Sequence, residues 1–368
     1  MTDEITRFDP DLPVERAKTP PASWYRDAGI LALEEERVFR TSWILAARSD
    51  QLTRPGAFVT GSVAGAPYVV VKDESGTLRA FFNVCRHHAA LVKDGEGTCA
   101  ELVCPYHGWT YALDGSLSRA PRMGKMEDFH REDFGLVPME VAERPPFVFV
   151  CPGRPAWDLE GELGSLFSRL DETAIDGLQF VERREYTLAC NWKVFSDNYL
   201  DGGYHVEVLH GALAGELDLG SYSTRTFGRY SLQTCRGGGD SERIGGEALY
   251  AYVYPNLMIN RYGPVLDTNL VVPLGPERCR VIFDFWFAET RGAEAQAFVK
   301  ESLDASHRVQ LEDTMICESV QKGLHSGVYD TGRYAPALEH AMYEFHRLLS
   351  RDLRGASVLA AVGDRSSG

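Results

Sequence analysis

The sequence predicts an α+β protein of two domains, and three observations lead to this fold class. Between about Trp43 and Cys151, short β-branched runs such as 68–71 alternate with turn signals such as 73–76, which is typical of a small antiparallel β domain. A Pro-rich stretch at 144–155 then interrupts regular structure. Strand and helix patterns are mixed beyond it. The predicted divisions are an N-terminal segment 1–42 that packs on the second domain, the β domain 43–153 and the second domain 154–368.

The second domain shows both kinds of periodicity. Residues 280–288 alternate between two differently lined faces, one of them rich in phenylalanine, and therefore predict a strand. Val309, Asp313, Ile316 and Val320 recur at steps of four, three and four residues, which predicts one face of a helix. An acid thus lies on an otherwise apolar stripe.

The composition of the 368-residue chain is that of an ordinary globular protein. Its formal charge of −15 disfavours nucleic acid and anionic membranes as partners. No apolar run is long enough to span a bilayer, and the acidic start at 1–4 is unlike a targeting segment, so we expect a cytoplasmic protein. The eight cysteines are too few and too scattered for a disulfide framework.

Two Cys/His pairs in the β domain form the most informative motif. One residue separates Cys85 from His87, sixteen lie between His87 and Cys104, and two lie between Cys104 and His107. Two thiolates on one iron and two imidazoles on the other would make a Rieske-type two-iron, two-sulfide (2Fe-2S) cluster. A structural zinc site is the alternative, although the spacing of the first pair is poor for a zinc knuckle. His88 is out of register and is not expected to be a ligand.

A second metal site is predicted in the segment 197–210, which holds two histidines, three acids and an amide. Two imidazoles and one carboxylate on one face of an iron form the facial triad of non-haem oxygenases. His205 and His210 are the imidazole candidates. Five residues of ideal helix rotate by about 140°, so the two rings converge only if the helix ends or bulges there. Glycines on both sides of the pair favour such a break.

Asp313 is the predicted third ligand of this site. A carboxylate on the buried face of a helix needs a metal or a partner charge to offset its desolvation. Glu312 lies about 100° around the helix and is expected to be more exposed. From the residues alone, pairing of Asp313 with an arginine or a capping role is the alternative, and the two histidines could be ordinary core residues.

Together these motifs resemble the terminal oxygenase subunits of the Rieske non-haem iron oxygenases. The segments that carry this resemblance are 85–109, 191–195, 197–205 and Asp313. Within that family, the plant choline monooxygenases are similar in the stretches 197–206, 254–264 and 267–276. The likeness runs from about Trp43 to the C-terminal region.

The resemblance implies a helix-grip catalytic domain with an antiparallel sheet, a Rieske cluster and a mononuclear iron(II) that uses O2. The implied cluster ligands are Cys85, His87, Cys104 and His107. The implied iron ligands are His205, His210 and Asp313. It also implies a homotrimer, in which the cluster of one chain serves the iron of the next, and a ferredoxin or flavin reductase as electron donor.

The sequence departs from the family at one position. The family's bridging carboxylate, which links the iron site to the cluster of a neighbouring subunit, lies three residues before the first iron histidine, and Gly202 occupies that position here. Asp201 is the first candidate to replace it and Glu207 is the second. Asn198 is the further polar residue of this segment that we expect at the catalytic site.

The implied reaction is the oxidation of a small quaternary ammonium compound, in the first place choline to betaine aldehyde hydrate. N-demethylation of a betaine or another methylated amine is the alternative within the same fold. A non-catalytic electron carrier, with the cluster but without the second metal, is the alternative of a different class. Aromatic faces and negative charge recognise a quaternary ammonium group. The residues expected to touch the substrate are Tyr252, Tyr254, Tyr262, Asp284 and Trp286.

Overall fold

The computed structural model describes residues 2–238 and 243–355. Its chain divides into two compact units: one runs from Phe39 to Leu159, and the other combines the chain before Phe39 with the chain after Leu159. Both units contain antiparallel sheets, and the second also contains helices, so the predicted α+β class is confirmed. The finer division at 42/43 and 153/154 stays a prediction. Among the described residues, no helix combines the length and the apolarity that crossing a membrane requires.

The unit Phe39–Leu159 is built from antiparallel strands. These are β1 (Ile44–Arg48), β2 (Ala57–Val63), β3 (Ala66–Lys72), β4 (Leu78–Phe82), β5 (Glu96–Thr98), β6 (Leu102–Val103), β7 (Thr110–Tyr111), β8 (Leu117–Arg119), β9 (Pro138–Arg144) and β10 (Phe147–Cys151). They form a seven-stranded sheet in the order β1-β10-β9-β4-β3-β2-β5 and a three-stranded sheet in the order β6-β7-β8. One apolar core cluster of this unit includes Cys85, Cys104, Trp109 and Tyr111, and so holds both thiols of the Cys/His motif.

The larger unit combines one sheet with helices. The helices are α1 (Thr2–Thr6), α2 (Ala28–Arg37), α3 (Leu159–Asp171), α4 (Trp192–Tyr199), α5 (Val206–Leu209), α6 (Gly211–Ala214), α7 (Ala293–His325) and α8 (His340–Leu353). The strands are β11 (Gln179–Leu188), β12 (Leu217–Phe227), β13 (Tyr230–Gly237), β14 (Glu247–Val253), β15 (Leu257–Tyr262), β16 (Val265–Gly275) and β17 (Arg278–Phe287). The sheet is antiparallel, in the order β11-β17-β16-β15-β14-β13-β12. Helix α7 packs against α4 and β11, and α8 packs against α2 and β12.

Helix α4 is anchored at its first turn. The side chain of Asn191 accepts a hydrogen bond from the Lys193 amide and so caps the helix. The buried ammonium of Lys193 donates to Glu34 of α2 at 2.6 Å, and the indole N–H of Trp192 donates to the same carboxylate at 2.7 Å. This arrangement fixes α4, whose C-terminal end leads into the segment 197–210.

The prediction for the buried face of α7 is wrong in part. Ile316 and Val320 are 38% and 46% exposed, although the periodicity placed them in the core. The buried row includes Gln310, Cys317 and Gln321 instead. Gln321 is satisfied there, since it accepts from the Asn191 amide and donates to a backbone carbonyl. Because two of the buried residues are glutamines, a hydrophobicity pattern does not identify the inner face of α7.

Candidate metal centres and active-site cavity

His205, His210 and Asp313 come together in the larger unit. One ligand atom from each residue lies within 4.8 Å of the others. The Nε2 atoms of His205 and His210 lie 3.9 Å and 3.1 Å from Oδ1 of Asp313. Two imidazoles and one carboxylate in this arrangement match the donor set of a facial triad.

The local backbone explains why the two rings converge. Helix α5 contains only four residues, with His205 just before it and His210 just after it. At His210 the backbone leaves the helical region, with φ −110° and ψ 63°. The ring centroids are 4.9 Å apart. A continuous helix would have turned them apart, so the break after α5 brings the two imidazoles to one side.

The carboxylate of Asp201 organises the turn that follows α4. It accepts hydrogen bonds from the backbone N–H groups of Gly203, Tyr204 and His205 at 2.9, 3.1 and 2.9 Å. It also accepts a hydrogen bond from Nδ1 of the His205 ring at 2.6 Å. An ionised carboxylate can only accept, so His205 carries its proton on Nδ1 and presents Nε2 as a metal-binding atom.

Gly202 cannot be replaced by the carboxylate that the family places there. Its φ is +71°, in the left-handed region that favours glycine. A Cβ at this position would lie 2.4 Å from the carbonyl oxygen of Leu338. The acid one residue earlier, Asp201, contacts His205 instead. Glu207, the second candidate for the bridge, is exposed on α5.

Asn198 and Glu312 complete the polar surroundings of the three residues. Asn198 Nδ2 donates to Oδ1 of Asp313 at 2.7 Å. Glu312 Oε2 accepts from Nδ1 of His210 at 2.6 Å, so each histidine is held by its own carboxylate. The Glu312 side chain is 37% exposed and that of Asp313 is 13% exposed. The sequence indicated this difference in exposure but missed the contact of Glu312 with His210.

The four residues of the Cys/His motif lie on two neighbouring loops. Cys85 and Cys104 are 3% and 2% exposed. The rings of His87 and His107 are 4.7 Å apart between centroids. Each cysteine is the first residue of a tight turn, since Ala89 N–H donates to the carbonyl of Cys85 and Gly108 N–H donates to that of Cys104.

The surroundings of Nδ1 of His87 indicate which metal group this site can bind. The atom is buried and has no hydrogen-bond partner among the described residues. The ring is held in place by stacking on Trp109, with centroids 4.8 Å apart and planes 6° from parallel. A fixed imidazole with an unpaired buried nitrogen, beside two buried thiols, fits an iron-sulfur cluster with mixed ligands.

A cavity of about 160 Å³ opens beside His205, His210 and Asp313. This is roughly ten times the volume that one water molecule needs. The aromatic side chains on its walls are Phe195, Tyr199, Tyr222, Tyr250, Tyr262 and Phe283. The cavity therefore suits a small molecule that packs against aromatic faces while it lies next to the triad.

Asp267 of β16 lines the same cavity and is 3% exposed. Its carboxylate accepts from Asn260 at 2.7 Å, from Tyr262 at 2.8 Å and from Asn269 at 3.1 Å. Burial raises the pKa of Asp267, and the hydrogen bonds from Asn260 and Tyr262 oppose that rise. These donors are neutral, and the positive charge of Arg243 also opposes the rise in the pKa of Asp267. Sequence reasoning missed this residue, although an acid within a strongly apolar strand was the available signal.

Of the five predicted substrate residues, Tyr262 lines the cavity. Asp284 and Trp286 do not, because side chains alternate along β17 and Phe283 faces the cavity from the other side of that strand. Asp284 forms an ion pair with Arg183 at 2.7 Å. The cavity lining therefore gives no support to a contact of Asp284 or Trp286 with the substrate, and the substrate-contacting residues stay a prediction.

Tyr252 and Tyr254 also lie outside the cavity lining. The hydroxyl of Tyr252 donates to Ser196 at 3.0 Å. The hydroxyl of Tyr254 donates to Asp352 at 2.8 Å. Both tyrosines are thus committed to core contacts, and Tyr250, one alternation earlier on β14, is the residue that reaches the cavity.

Two protein families match this chain. The family described as Rieske [2Fe-2S] domain matches residues 42–130. The family described as ring hydroxylating alpha subunit (catalytic domain) matches residues 175–355. The two matched domains imply a Rieske cluster, a mononuclear iron and O2 as co-substrate.

Individual relatives extend over nearly the whole chain. The chloroplastic choline monooxygenase of Arabidopsis thaliana is 48% identical and is aligned over 95% of this chain and 86% of its own length. The carnitine monooxygenase oxygenase subunit of Escherichia coli is 29% identical over 92% of this chain and 94% of its own. The crystal structure of the quaternary ammonium Rieske monooxygenase CntA with L-carnitine superposes with a TM-score of 0.81, at 28% identity, over 96% of this chain and 98% of that one. With these two family matches and a relative this similar, the chain belongs to the Rieske non-haem iron monooxygenases and is like the choline monooxygenases among them.

Proposed function

We propose that this protein oxidises a small quaternary ammonium compound, choline in the first place, to the corresponding aldehyde hydrate. The observation that carries the substrate class is the buried carboxylate of Asp267 in an aromatic cavity. A quaternary ammonium ion offers no hydrogen to an acceptor, so π faces and negative charge are what recognise it. The relatives named for choline and carnitine support the same class.

The mononuclear iron is held by His205, His210 and Asp313, and the cluster by Cys85, His87, Cys104 and His107. The cluster, when bound, delivers electrons singly, and the iron provides the place where O2 is reduced. The support for the first set is the convergence of its donor atoms within 4.8 Å. The support for the second is the pair of buried thiols beside Nδ1 of His87, which has no hydrogen-bond partner among the residues that the structure describes.

The residues of this chain position the reactants. Asp201 accepts a hydrogen bond from Nδ1 of His205, and Glu312 accepts one from Nδ1 of His210. Both Nε2 atoms are therefore directed to one point. Asn198 holds one oxygen of Asp313 and so fixes the orientation of the third ligand. The aromatic walls exclude bulk water and hold the ammonium group, which leaves the alcohol end of choline towards the triad.

The chemical balance of the reaction is simple. One C–H bond of the carbon that bears the alcohol becomes C–OH, which gives betaine aldehyde hydrate. The second oxygen atom of O2 leaves as water, with two electrons and two protons. A ferredoxin or a flavin reductase supplies the electrons, since the described chain has no dinucleotide-binding strand, turn and helix of its own.

The active assembly is a homotrimer in which a neighbouring chain's cluster approaches this iron site. Large apolar side chains lie exposed around the candidate ligands: Tyr204 is 59% exposed, Val208 92% and Met315 64%. Tyr106, next to the cluster ligand His107, is 64% exposed. Exposed apolar groups concentrated near two redox sites indicate contact surfaces. Asp201, whose carboxylate already holds His205, is the bridge between the two sites.

An assay of the reduced holoprotein tests the function. Choline, glycine betaine, carnitine and dimethylglycine are each incubated with an electron donor and 18O2, and products are identified by mass spectrometry. We expect betaine aldehyde hydrate with one of its two hydroxyl oxygens labelled under conditions of limited exchange, and free aldehyde that retains only part of this label because either hydroxyl leaves on dehydration. Formaldehyde and a demethylated amine would show the N-demethylating reaction instead. About two irons per chain, in place of about three, would indicate an electron carrier without the catalytic site.

The contribution of Asp267 is tested with a neutral isostere. Asp267→Asn is expected to raise KM for choline by roughly tenfold or more, because the negative charge is lost. For 3,3-dimethylbutanol, which has the shape of choline without its charge, the same substitution leaves KM nearly unchanged. Equal effects on both compounds would contradict recognition of a cation by Asp267.

A further inference from the structure

Arg243 introduces a positive charge into the cavity that is proposed to bind a cation. It lines the cavity together with Asp267. Its guanidinium lies 5.0 Å from the ring centroid of Tyr262, and Nη2 donates to the Tyr262 hydroxyl at 3.3 Å. Unless another charge compensates it, Arg243 would repel the ammonium group.

Glu216 provides that compensation from outside the lining. Its Oε2 lies 3.5 Å from Nη1 of Arg243. The two side chains are 32% and 16% exposed, so the pair is largely screened from solvent. With both acids ionised, the three described side chains of Glu216, Asp267 and Arg243 together carry a net charge of −1. A monocation such as choline neutralises that charge, whereas a zwitterion leaves it in place.

The guanidinium also retains unused binding capacity. Nε of Arg243 is buried and has no hydrogen-bond partner among the described residues. A guanidinium binds a carboxylate through two parallel N–H groups, and Nε with one Nη forms such a fork. Without the charge of Glu216, Arg243 would therefore be able to receive the carboxylate of a betaine while Asp267 and the tyrosines hold its ammonium group.

We infer that Glu216 sets the charge class of the substrate by neutralising Arg243. With glutamate at 216 the site prefers monocationic amino alcohols, and with a neutral residue there it accepts zwitterionic betaines. This inference rests on the proposed function, since it concerns the same cavity. It adds a residue outside the cavity lining that determines which quaternary ammonium compounds are bound.

The test compares the wild type, Glu216→Gln and the double variant Glu216→Gln/Arg243→Gln as anaerobic holoproteins. Binding of choline and glycine betaine is measured by isothermal titration, and turnover by product formation. We expect the ratio of affinities, betaine over choline, to rise about tenfold or more in Glu216→Gln, since one charge beside a half-buried partner is removed. The double variant should lose this gain because the guanidinium is absent.

The controls separate this inference from the proposed function. Glu301→Gln removes one charge from an exposed position of α7 and should leave the ratio at its wild-type value. Glu216→Ala repeats the test if the glutamine variant is poorly folded, as judged by its cluster spectrum. An unchanged ratio in both Glu216 variants, with wild type still oxidising choline, overturns the role of Glu216 alone. A gain that persists in the double variant overturns the role of Arg243. A wild type that oxidises no choline overturns the proposed function.

Discussion

The two candidate metal sites use their histidines in opposite ways. In the Cys/His motif, Nδ1 of His87 is buried and has no hydrogen-bond partner in the part of the chain that the structure describes. At the triad, the Nδ1 atoms of His205 and His210 are each bound to a carboxylate and the Nε2 atoms point to Asp313. The cluster loops thus leave a ligand atom unsatisfied, whereas the triad is held by its own side chains.

This difference indicates two sources of local order. The cluster site is assembled from loops close in sequence and needs the metal to satisfy its buried atoms. The triad joins residues 103 positions apart, and hydrogen bonds to Asp201, Asn198 and Glu312 position it in advance. Loss of a ligand should therefore have wider structural consequences at the cluster than at the triad.

The largest effect is expected for His107→Ala. The ring is exposed, so its removal alone costs little packing, but the cluster would lose a predicted iron ligand. Visible absorption and the rhombic electron paramagnetic resonance signal should disappear, together with product formation. His88→Ala, an exposed neighbour, is the control that should keep both signals. A coloured, active His107→Ala protein would contradict the assignment, as would zinc in anaerobically prepared wild type.

Asp313→Ala should abolish product formation but leave the cluster spectrum intact. The variant retains the cluster loops, and the two histidines are still held by their carboxylates, yet the iron loses its anionic ligand. Metal analysis should fall from about three irons per chain to about two. Asp304→Ala, which removes an acid of the same helix whose side chain is 47% exposed, is the matched control. Substrate-coupled O2 use at the wild-type rate would exclude Asp313 as a ligand.

Asp201→Asn should keep both metals and reduce turnover by roughly tenfold to a hundredfold, the usual size of losses at residues that hold metal ligands. If Asp201 also bridges to a neighbouring cluster, single-turnover electron transfer to the iron slows as well. Glu312→Gln makes the same chemical change behind the other histidine, where we propose no bridge. Like Asp201→Asn it should keep both metals and lower turnover, but it should leave the electron-transfer rate unchanged. Equal transfer rates in both variants and in wild type would rule out the bridge.

The smallest effect is expected for the stability contribution of Asp73, which lies in a turn of the unit Phe39–Leu159 and is not a predicted metal ligand. Hydrogen bonds from Ser75 and Arg79 lower the pKa of Asp73 to about 2. A lowered pKa stabilises the fold above the unfolded-state value near 3.9, and that contribution is lost as pH falls towards 2. Asp73→Asn should thus reduce the free energy of unfolding by about 1–2 kcal/mol at pH 7 and by less at pH 3.

Urea unfolding of this unit, followed by the cluster absorption, measures the Asp73 effect. The exposed neighbour Glu74 provides the control variant Glu74→Gln, which should be neutral at both pH values. If Asp73→Asn lowered the free energy of unfolding equally at pH 7 and pH 3, the contribution of Asp73 would come from its shape and not from its charge.

What the sequence could predict depends on how local each feature is. The fold class and the family membership are confirmed, because periodicity and closely spaced motifs express them directly. The side of β17 that faces the cavity was not predictable, since Phe283 and Asp284 occupy alternating faces and only the packed helices decide which face is inside. Glu312 was missed because its contact with His210 crosses 102 residues of sequence. The metal-ligand assignments stay predictions.

The buried contact between Glu34 and Lys193 has a consequence for how the chain is made. The two residues are 159 positions apart, and the entire unit Phe39–Leu159 is encoded between them. During synthesis, the unit Phe39–Leu159 is complete before α4, the helix that α2 contacts through Glu34, has been made. Units fold in the order in which their sequences become complete. The unit Phe39–Leu159 therefore folds first, and the larger unit, whose sequence lies on both sides of it, folds last. Until Lys193 has been synthesised, Glu34 therefore lacks its counter-ion.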